Sequence, residues 1–526
     1  LDDLFGKSGM AKQNHSFSLR SKSCVLLLST VLLGIFVDVL FYDKALGVSY
    51  PIFVTAFYAL FFWNLRNRIQ VRFSFGWLLL IPIFMLAFTY LFFSNMIFYV
   101  LNFIAVPFLI VVQTLLVTDR ATWKWHSARF IIDLLYSFFY RPFAYVMLPF
   151  VMILKFLHAK TGINKDNVLL KVFFGILITI PLLVLIISLL ASADEVFGHL
   201  VGQIPSFFTS INLGQAIAHF LLAAIVAVVL FSYIWSLMRP KPEAGLLKEW
   251  SGMTAPNDRI DPVIATTLLS IINAIYVLFT FIQFSYLFGG LTFALPAHFT
   301  YAGYARRGFF ELIVVTLINF SILLTLICLT KKSGRFIGRS VRILESLLVV
   351  CTLVMLLSAF FRMALYEQMY GYTYLRLLTH AFMIFLFTLF VLTFWRIWKE
   401  KVSLSKYYLM TAIAAYVVIN YANIDALITK YNIERYQETG KIDIAYLSTL
   451  SDDAVAGSIG LLHAKEPSVA GRMENMLYFR NQELSRTHPW QSFNLSQYRA
   501  KQLLSGYTLH YQQQYKLNSD GSPDEP

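Results

Sequence analysis

The residues most able to do chemistry are Asp194, Glu195, Arg306, Arg307, Glu311, Arg362, Glu367, Arg376 and His380, all close to the ends of long apolar segments. In a chain where only 14% of residues are charged, such placement is informative. In Arg306-Arg307-Gly-Phe-Phe-Glu311 the arginine pair precedes an apolar run and the carboxylate falls in its first turns, where the dipole of a helix favours negative charge. Arg362 and Glu367 bracket a connection between two apolar segments, and Arg376 and His380, four apart, share one helical face. The planar guanidinium suits carboxylate or phosphate recognition. Such a rim either receives an anionic headgroup or small anion, or pairs internally to lock the loops together.

Asp38, His219 and Glu345 lie deeper, inside apolar segments. Asp38 and Glu345 are near enough to segment ends to reach water, which leaves His219 as the embedded one. Two readings apply to it, a neutral hydrogen-bonded packing residue or a proton relay. Asn102, Gln113, Asn273, Gln283 and Asn319 are suited to hydrogen bonds between helices. No nucleotide-binding loop, zinc pair, Cys-x-x-Cys, nucleophile elbow or dinucleotide fingerprint occurs, so neither a cofactor nor a metal is expected and no catalytic residue is assigned. The three cysteines, Cys24, Cys328 and Cys351, sit in or beside apolar runs and outline no disulfide framework.

The elements that must position these residues are membrane helices. With 58% hydrophobic residues and a mean hydropathy of +0.64, the chain has too little polar surface for a water-soluble fold. About eleven segments are long enough to cross a bilayer: 24–41, 47–65, 77–93, 97–117, 168–190, 214–238, 262–288, 308–329, 343–364, 377–395 and 406–423. Unpaired backbone groups are not tolerated in hydrocarbon, so each is expected to be helical, giving an all-α polytopic bundle. Met10 reads as an initiator with Leu1 to Gly9 as an upstream extension, and the first run, Cys24 to Phe41, reads as a retained span.

The net charge of +14 is carried largely by short loops between spans, which argues against nucleic acid and for contact with lipid headgroups. Loops holding Arg66, Arg68 and Arg72, Arg120 and Lys124, Arg239 and Lys241, Lys331 to Arg342, and Arg396 to Lys406 alternate with loops nearly free of Lys and Arg. The basic set is expected in the cytoplasm, with the N-terminal segment 1–23 inside and everything after Asn423 outside. Within 123–160, aromatic residues interleave with Arg129, Asp133, Arg141 and Lys155. That pattern fits interfacial helices, or a re-entrant hairpin at 142–158.

After the transmembrane domain, 24–423, the composition turns polar. Ile424, Leu427, Ile428 and Tyr431 form one apolar stripe, and Ser468 to Leu484 and Asn494 to Ser505 read as short amphipathic helices, the latter capped by Asn494 and stopped by Gly506. A small helical module is expected over 424–517, followed by a disordered end at 518–526.

Five stretches are similar to a bacterial family of multi-pass membrane proteins catalogued as a domain of unknown function, number forty-one seventy-three, and its relative forty-one fifty-three. They are Ser192-Ala-Asp-Glu-Val-Phe197, Tyr304-Ala-Arg-Arg-Gly-Phe-Phe-Glu-Leu312, Tyr370-Gly-Tyr-Thr-Tyr-Leu-Arg376, Asn423-Ile-Asp-Ala-Leu with Tyr431-Asn-Ile-Glu-Arg435, and Tyr446-Leu-Ser-Thr-Leu-Ser-Asp-Asp-Ala454. The resemblance implies a bacterial plasma-membrane protein and brings no catalytic residues with it. Two functions fit the residues. One is binding or moving an anionic lipid or small solute at the outer face; the other is a sensor or scaffold of the envelope whose C-terminal tail contacts a partner protein.

Overall fold

A computed structural model of the chain describes residues 11–153, 213–239, 260–288, 309–331 and 334–515, apart from 67, 70 and 71, with a few isolated positions between 179 and 194. Among these residues the elements are all helical, and a single isolated parallel bridge joins Ile260 to Thr330. In chain order they are α1 (Ala11–Phe41), α2 (Ser49–Leu65), α3 (Phe75–Leu78), α4 (Leu80–Phe92), α5 (Met96–Val117), α6 (Phe130–Leu135) and α7 (Leu213–Met238). They continue with α8 (Pro262–Phe288), α9 (Phe309–Leu329), α10 (Arg335–Tyr370), α11 (Tyr374–Trp398) and α12 (Leu404–Tyr421). The C-terminal part holds α13 (Ile424–Thr439), α14 (Ile444–Ser448), α15 (Pro467–Ser485) and α16 (Leu495–Ser505), with shorter turns between them.

Eight helical segments among the described residues are long and apolar enough to cross a bilayer, α3 and α4 together making one of them, and a ninth is reached if α12 and α13, bent by 59°, count as one broken span. These are the helices of an integral membrane protein. The expected count of eleven is therefore not reached among the described residues. The expected span at 47–65 is helical, but the 17 residues of α2 extend only about 25 Å against a hydrocarbon core of about 30 Å. All but four isolated positions of the expected span at 168–190 lie outside the described residues. So do residues 154–160 and the end at 518–526.

The chain divides into two compact units, one of Leu1–Leu91, Ile104–Lys241 and His488–Phe493, the other of Phe92–Phe103, Pro242–Thr487 and Asn494–Pro526. In the first, α1 packs along α7 at a point where Gly34 is required. A Cβ there would stand 2.3 Å from the Ala223 carbonyl oxygen and 3.1 Å from the Ala227 methyl. Small residues let two apolar helices approach closely where lipid offers no hydrophobic drive for association. At the other end of α7, Arg120 donates to the Leu237 carbonyl at 2.9 Å and Arg68 to the Met238 carbonyl, so two cations satisfy carbonyls that have no partner within the helix. The 120–145 segment is tied down too: Asp133 accepts from the Thr122 and Trp123 amides at 2.7 and 2.8 Å, and the Tyr145 amide donates to Ser232 at 2.9 Å. Its apolar helix, Phe130–Tyr140, is too short to cross.

The second unit holds a bundle of α8 to α11 whose core includes Leu269, Leu323, Leu348, Phe390, Met355 and Met383. Three of the expected interhelical amides act there as expected. Asn319 donates to Thr352 at 2.9 Å and accepts from the Tyr276 hydroxyl at 2.8 Å, Asn273 donates to the Leu344 carbonyl at 2.9 Å, and Asn102 donates to Asn420 at 2.7 Å. In the first unit Gln113 differs, being buried with neither amide atom hydrogen-bonded among the described residues. The Gln283 side chain lies outside the described set.

α13 carries Asp425, Lys430, Glu434, Arg435 and Glu438, a composition that does not belong in hydrocarbon. It opens at Asn423, which adopts the left-handed conformation (φ 45°) and caps the Ala426 amide. With α14 to α16 it encloses a core of Ile424, Ile428, Leu447, Met473, Leu477 and Leu504. α15 matches the amphipathic stretch expected at Ser468 to Leu484, and α16 starts under Asn494, which accepts from the Gln497 amide at 3.1 Å, and stops at Gly506.

Candidate functional site

The expected rim separates into parts. Arg306, Arg307 and Glu195 lie outside the described residues, and Asp194 is exposed and belongs to the first unit. The others belong to the second unit. Glu311, in the first turn of α9, and Arg362, on α10, line one cavity of about 310 Å³ whose walls include Tyr276, Phe279, Leu312 and Met355. α10 sets the depth of that arginine. Twenty residues separate Arg342 from Arg362, about 30 Å of helix, so the two arginines match the two faces of a hydrocarbon layer. The cavity is apolar along most of its lining and includes two side chains of opposite charge.

The other rim residues turn inward. His380 on α11 places Nδ1 3.2 Å from the Glu367 carboxylate of α10 and Nε2 3.3 Å from the Phe360 carbonyl oxygen, so both ring nitrogens face acceptors. Glu367 is 2% exposed. Arg376 donates to the Gly371 carbonyl and lies 4.5 Å over the Tyr366 ring. These contacts close the α10–α11 turn.

Of the deeper ionisable residues, Asp38 and His219 meet. His219 Nδ1 is 2.8 Å from the carboxylate, and the Tyr42 ring packs on the imidazole at 3.8 Å. Each is an isolated residue in the sequence, 181 positions apart, and only the packing of α1 on α7 pairs them. Glu345 is buried one turn from Arg342, near the start of α10.

The most connected polar cluster was missed at the level of sequence. Asn432 of α13 holds both backbone groups of Tyr372, and Arg435 donates from Nε and Nη2 to the Gln368 and Met369 carbonyls at 2.8 and 2.6 Å, capping the C-terminal end of α10. The turn between them needs Gly371, whose φ of +84° disfavours any side chain. The Tyr446 hydroxyl accepts from the Tyr374 amide at 2.8 Å. Beneath this clamp, Asp425 is fully buried, and its Oδ2 accepts from Ser451 at 2.5 Å and Asn95 at 2.9 Å. Asn95 also donates to the Tyr374 hydroxyl at 2.8 Å. Asp453 accepts from the Ser94 amide at 2.8 Å. Burial pushes the Asp425 carboxyl up to about 6, with the Asp453 charge adding to the shift and the bonds from Ser451 and Asn95 opposing it. Asp425, Asn432, Arg435 and Tyr446 stand in the stretches that carry the family resemblance, and that was the available signal.

Among the described residues no three His, Cys, Asp or Glu side chains converge as a metal site needs. The model of one family, described as Domain of unknown function (DUF4153), matches residues 80–460. No curated protein and no solved structure matches the chain.

Proposed function

The chain belongs to the DUF4153 family, and on that premise we propose that this integral membrane protein binds, and moves or presents, an anionic lipid or small anionic solute at its outer face. The observation that carries the reading is the cavity shared by Glu311 and Arg362, apolar along most of its lining apart from these two charges. An acyl chain fits the walls, and a phosphate fits a guanidinium at headgroup level. The basic loops are read as cytoplasmic, which puts the N-terminus inside and the tail outside a bacterial plasma membrane. A reporter active only in the cytoplasm, fused after Ser505, is silent on this reading.

Native mass spectrometry of the purified protein tests the binding. The wild type retains an anionic lipid or solute, while Arg362→Gln loses it with thermal stability nearly intact. Release of bare protein from the wild type under gentle activation ends the proposal.

A second reading, the sensor or scaffold, is favoured by one observation, the hold of α13 on the α10–α11 turn through Asn432 and Arg435. A partner bound to the tail would act on membrane helices through that hold. Its signature in the same spectra is a stable second polypeptide with no retained lipid.

A further inference from the structure

The C-terminal module carries a cleft of about 510 Å³ between α15 and the segment that follows α16, lined by Ser448, Asn475, Met476, Phe479, Arg480, Glu483 and Tyr511. We infer that this cleft is a binding site for an organic ammonium group, primary or quaternary, independent of the membrane cavity described above.

Three observations lead there. The first concerns the walls. Phe479 and Tyr511 are 55% and 42% exposed, and their rings stand 5.5 Å apart at 65° to one another, with Tyr478 6.2 Å from Tyr511. The two rings meet edge to face, so together they form a partly exposed aromatic wall of the cleft, and a cation seated over a ring face gains from its quadrupole.

The second concerns charge. Arg480 would favour an anion, but its terminal nitrogens are already committed. Nη2 donates to the Leu450 and Ser448 carbonyls at 2.7 and 3.3 Å, and Nη1 is paired with Asp452 at 3.4 Å. Among the described residues the Glu483 carboxylate makes no hydrogen bond or ion pair, only its backbone carbonyl accepting from the Arg486 amide, so the uncommitted charge lining the cleft is negative. A carboxylate beside two aromatic faces complements an ammonium ion and repels a phosphate or carboxylate.

The third concerns preformation. The segment bearing Tyr511 is fixed on α15: the Gln512 amide donates to Asn475 at 2.7 Å, Asn475 donates back to the Gln512 carbonyl at 2.9 Å, and the His510 amide donates to Glu474 at 2.9 Å. The aromatic wall is therefore set before any ligand arrives, which lowers the entropic cost of binding.

An ammonium group of this kind is borne by a small solute or by an aminophospholipid headgroup, and one titration separates the two. The full-length protein is placed in nanodiscs of phosphatidylglycerol and titrated with tetramethylammonium and with ethanolamine, followed by ligand-detected NMR. Saturable binding is expected, weakened at least tenfold in both Glu483→Gln and Phe479→Ala, and unchanged in Glu434→Gln, an exposed carboxylate on α13 that does not line the cleft. Repeating the titration in phosphatidylethanolamine discs identifies the source. Competition there makes the ligand the lipid headgroup, and an unchanged curve makes it a solute; both outcomes support the site. No saturable binding, binding of methylphosphate in its place, or an affinity indifferent to Glu483→Gln with the fold intact overturns the inference.

Discussion

Asn432 holds Tyr372 by both of its backbone groups, accepting from the Tyr372 amide at 2.9 Å and donating to its carbonyl at 2.8 Å. One buried side chain thereby supplies everything a strand partner would, to a turn that has no strand. The same amide nitrogen bonds the Ile428 carbonyl at 2.9 Å, so the grip is built into α13.

Asn432→Ala strands the turn's amide and carbonyl in a buried setting, and the expected loss is about 2 kcal/mol, read as a lowered unfolding midpoint of the full-length protein. Arg435→Gln, which uncaps α10, is expected to cost about 1 kcal/mol. The two residues serve one turn, so the double variant should fall short of the sum. Strict additivity would mean that the two contacts stabilise separate structures.

Asp425 makes stability depend on pH in a definite direction. Its folded carboxyl titrates near 6 against an ordinary 3.8, so the folded state binds the proton more tightly than the unfolded state. Its contribution to stability is then greatest below about pH 4, falls by on the order of 3 kcal/mol as pH rises from about 4 to about 6, and is flat above that. Asp452, also raised by burial with Arg480 opposing, adds a contribution of the same sign. Asp425→Asn keeps an acceptor for Ser451 and Asn95, so it should remove most of the slope between pH 4 and 6 and raise the midpoint at pH 7.5. An Asn variant equally destabilised at pH 5 and pH 7.5 would show that the carboxylate itself is needed.

The Glu367–His380 pair should respond unequally to the loss of either partner. Leucine in place of His380 removes the imidazole that faces the buried Glu367 carboxylate and leaves that carboxylate without a partner there, whereas glutamine in place of Glu367 still offers an oxygen to Nδ1. His380→Leu is expected to lower yield and stability by on the order of 3 kcal/mol, and Glu367→Gln by distinctly less. Equal effects on the midpoints of the purified variants would contradict the internal-pairing role of this part of the rim.

Gly34→Val forces α1 off α7, because the added atoms overlap the Ala223 carbonyl and no rotamer avoids backbone. The expected result is a large drop in folded yield, while Gly460→Ala, whose added methyl meets nothing within 4 Å, remains near wild type. Comparable yields for the two variants would mean that the close crossing is dispensable.

Most of the helices were legible in the sequence because a membrane helix is dictated locally. Hydrocarbon tolerates few charges and no unpaired backbone, so composition alone marks where the chain enters and leaves it. The caps at Asn494 and Gly506 and the amides at Asn102, Asn273 and Asn319 were legible for the same reason, since each needs only its own helix face or end. Span count was less so, because the 17 residues of α2 and the 59° bend after α12 concern length and direction rather than apolarity. Tertiary structure decided which charges face one another. Glu367 and His380 are 13 positions apart, Asn95 and Asp425 are 330, and nothing in either neighbourhood encodes the other. A buried polar group must find a partner, but its identity is set by which helix faces pack together. That is why the rim, a single feature by charge, is in space an inward lock at Glu367, Arg376 and His380 beside a cavity at Glu311 and Arg362.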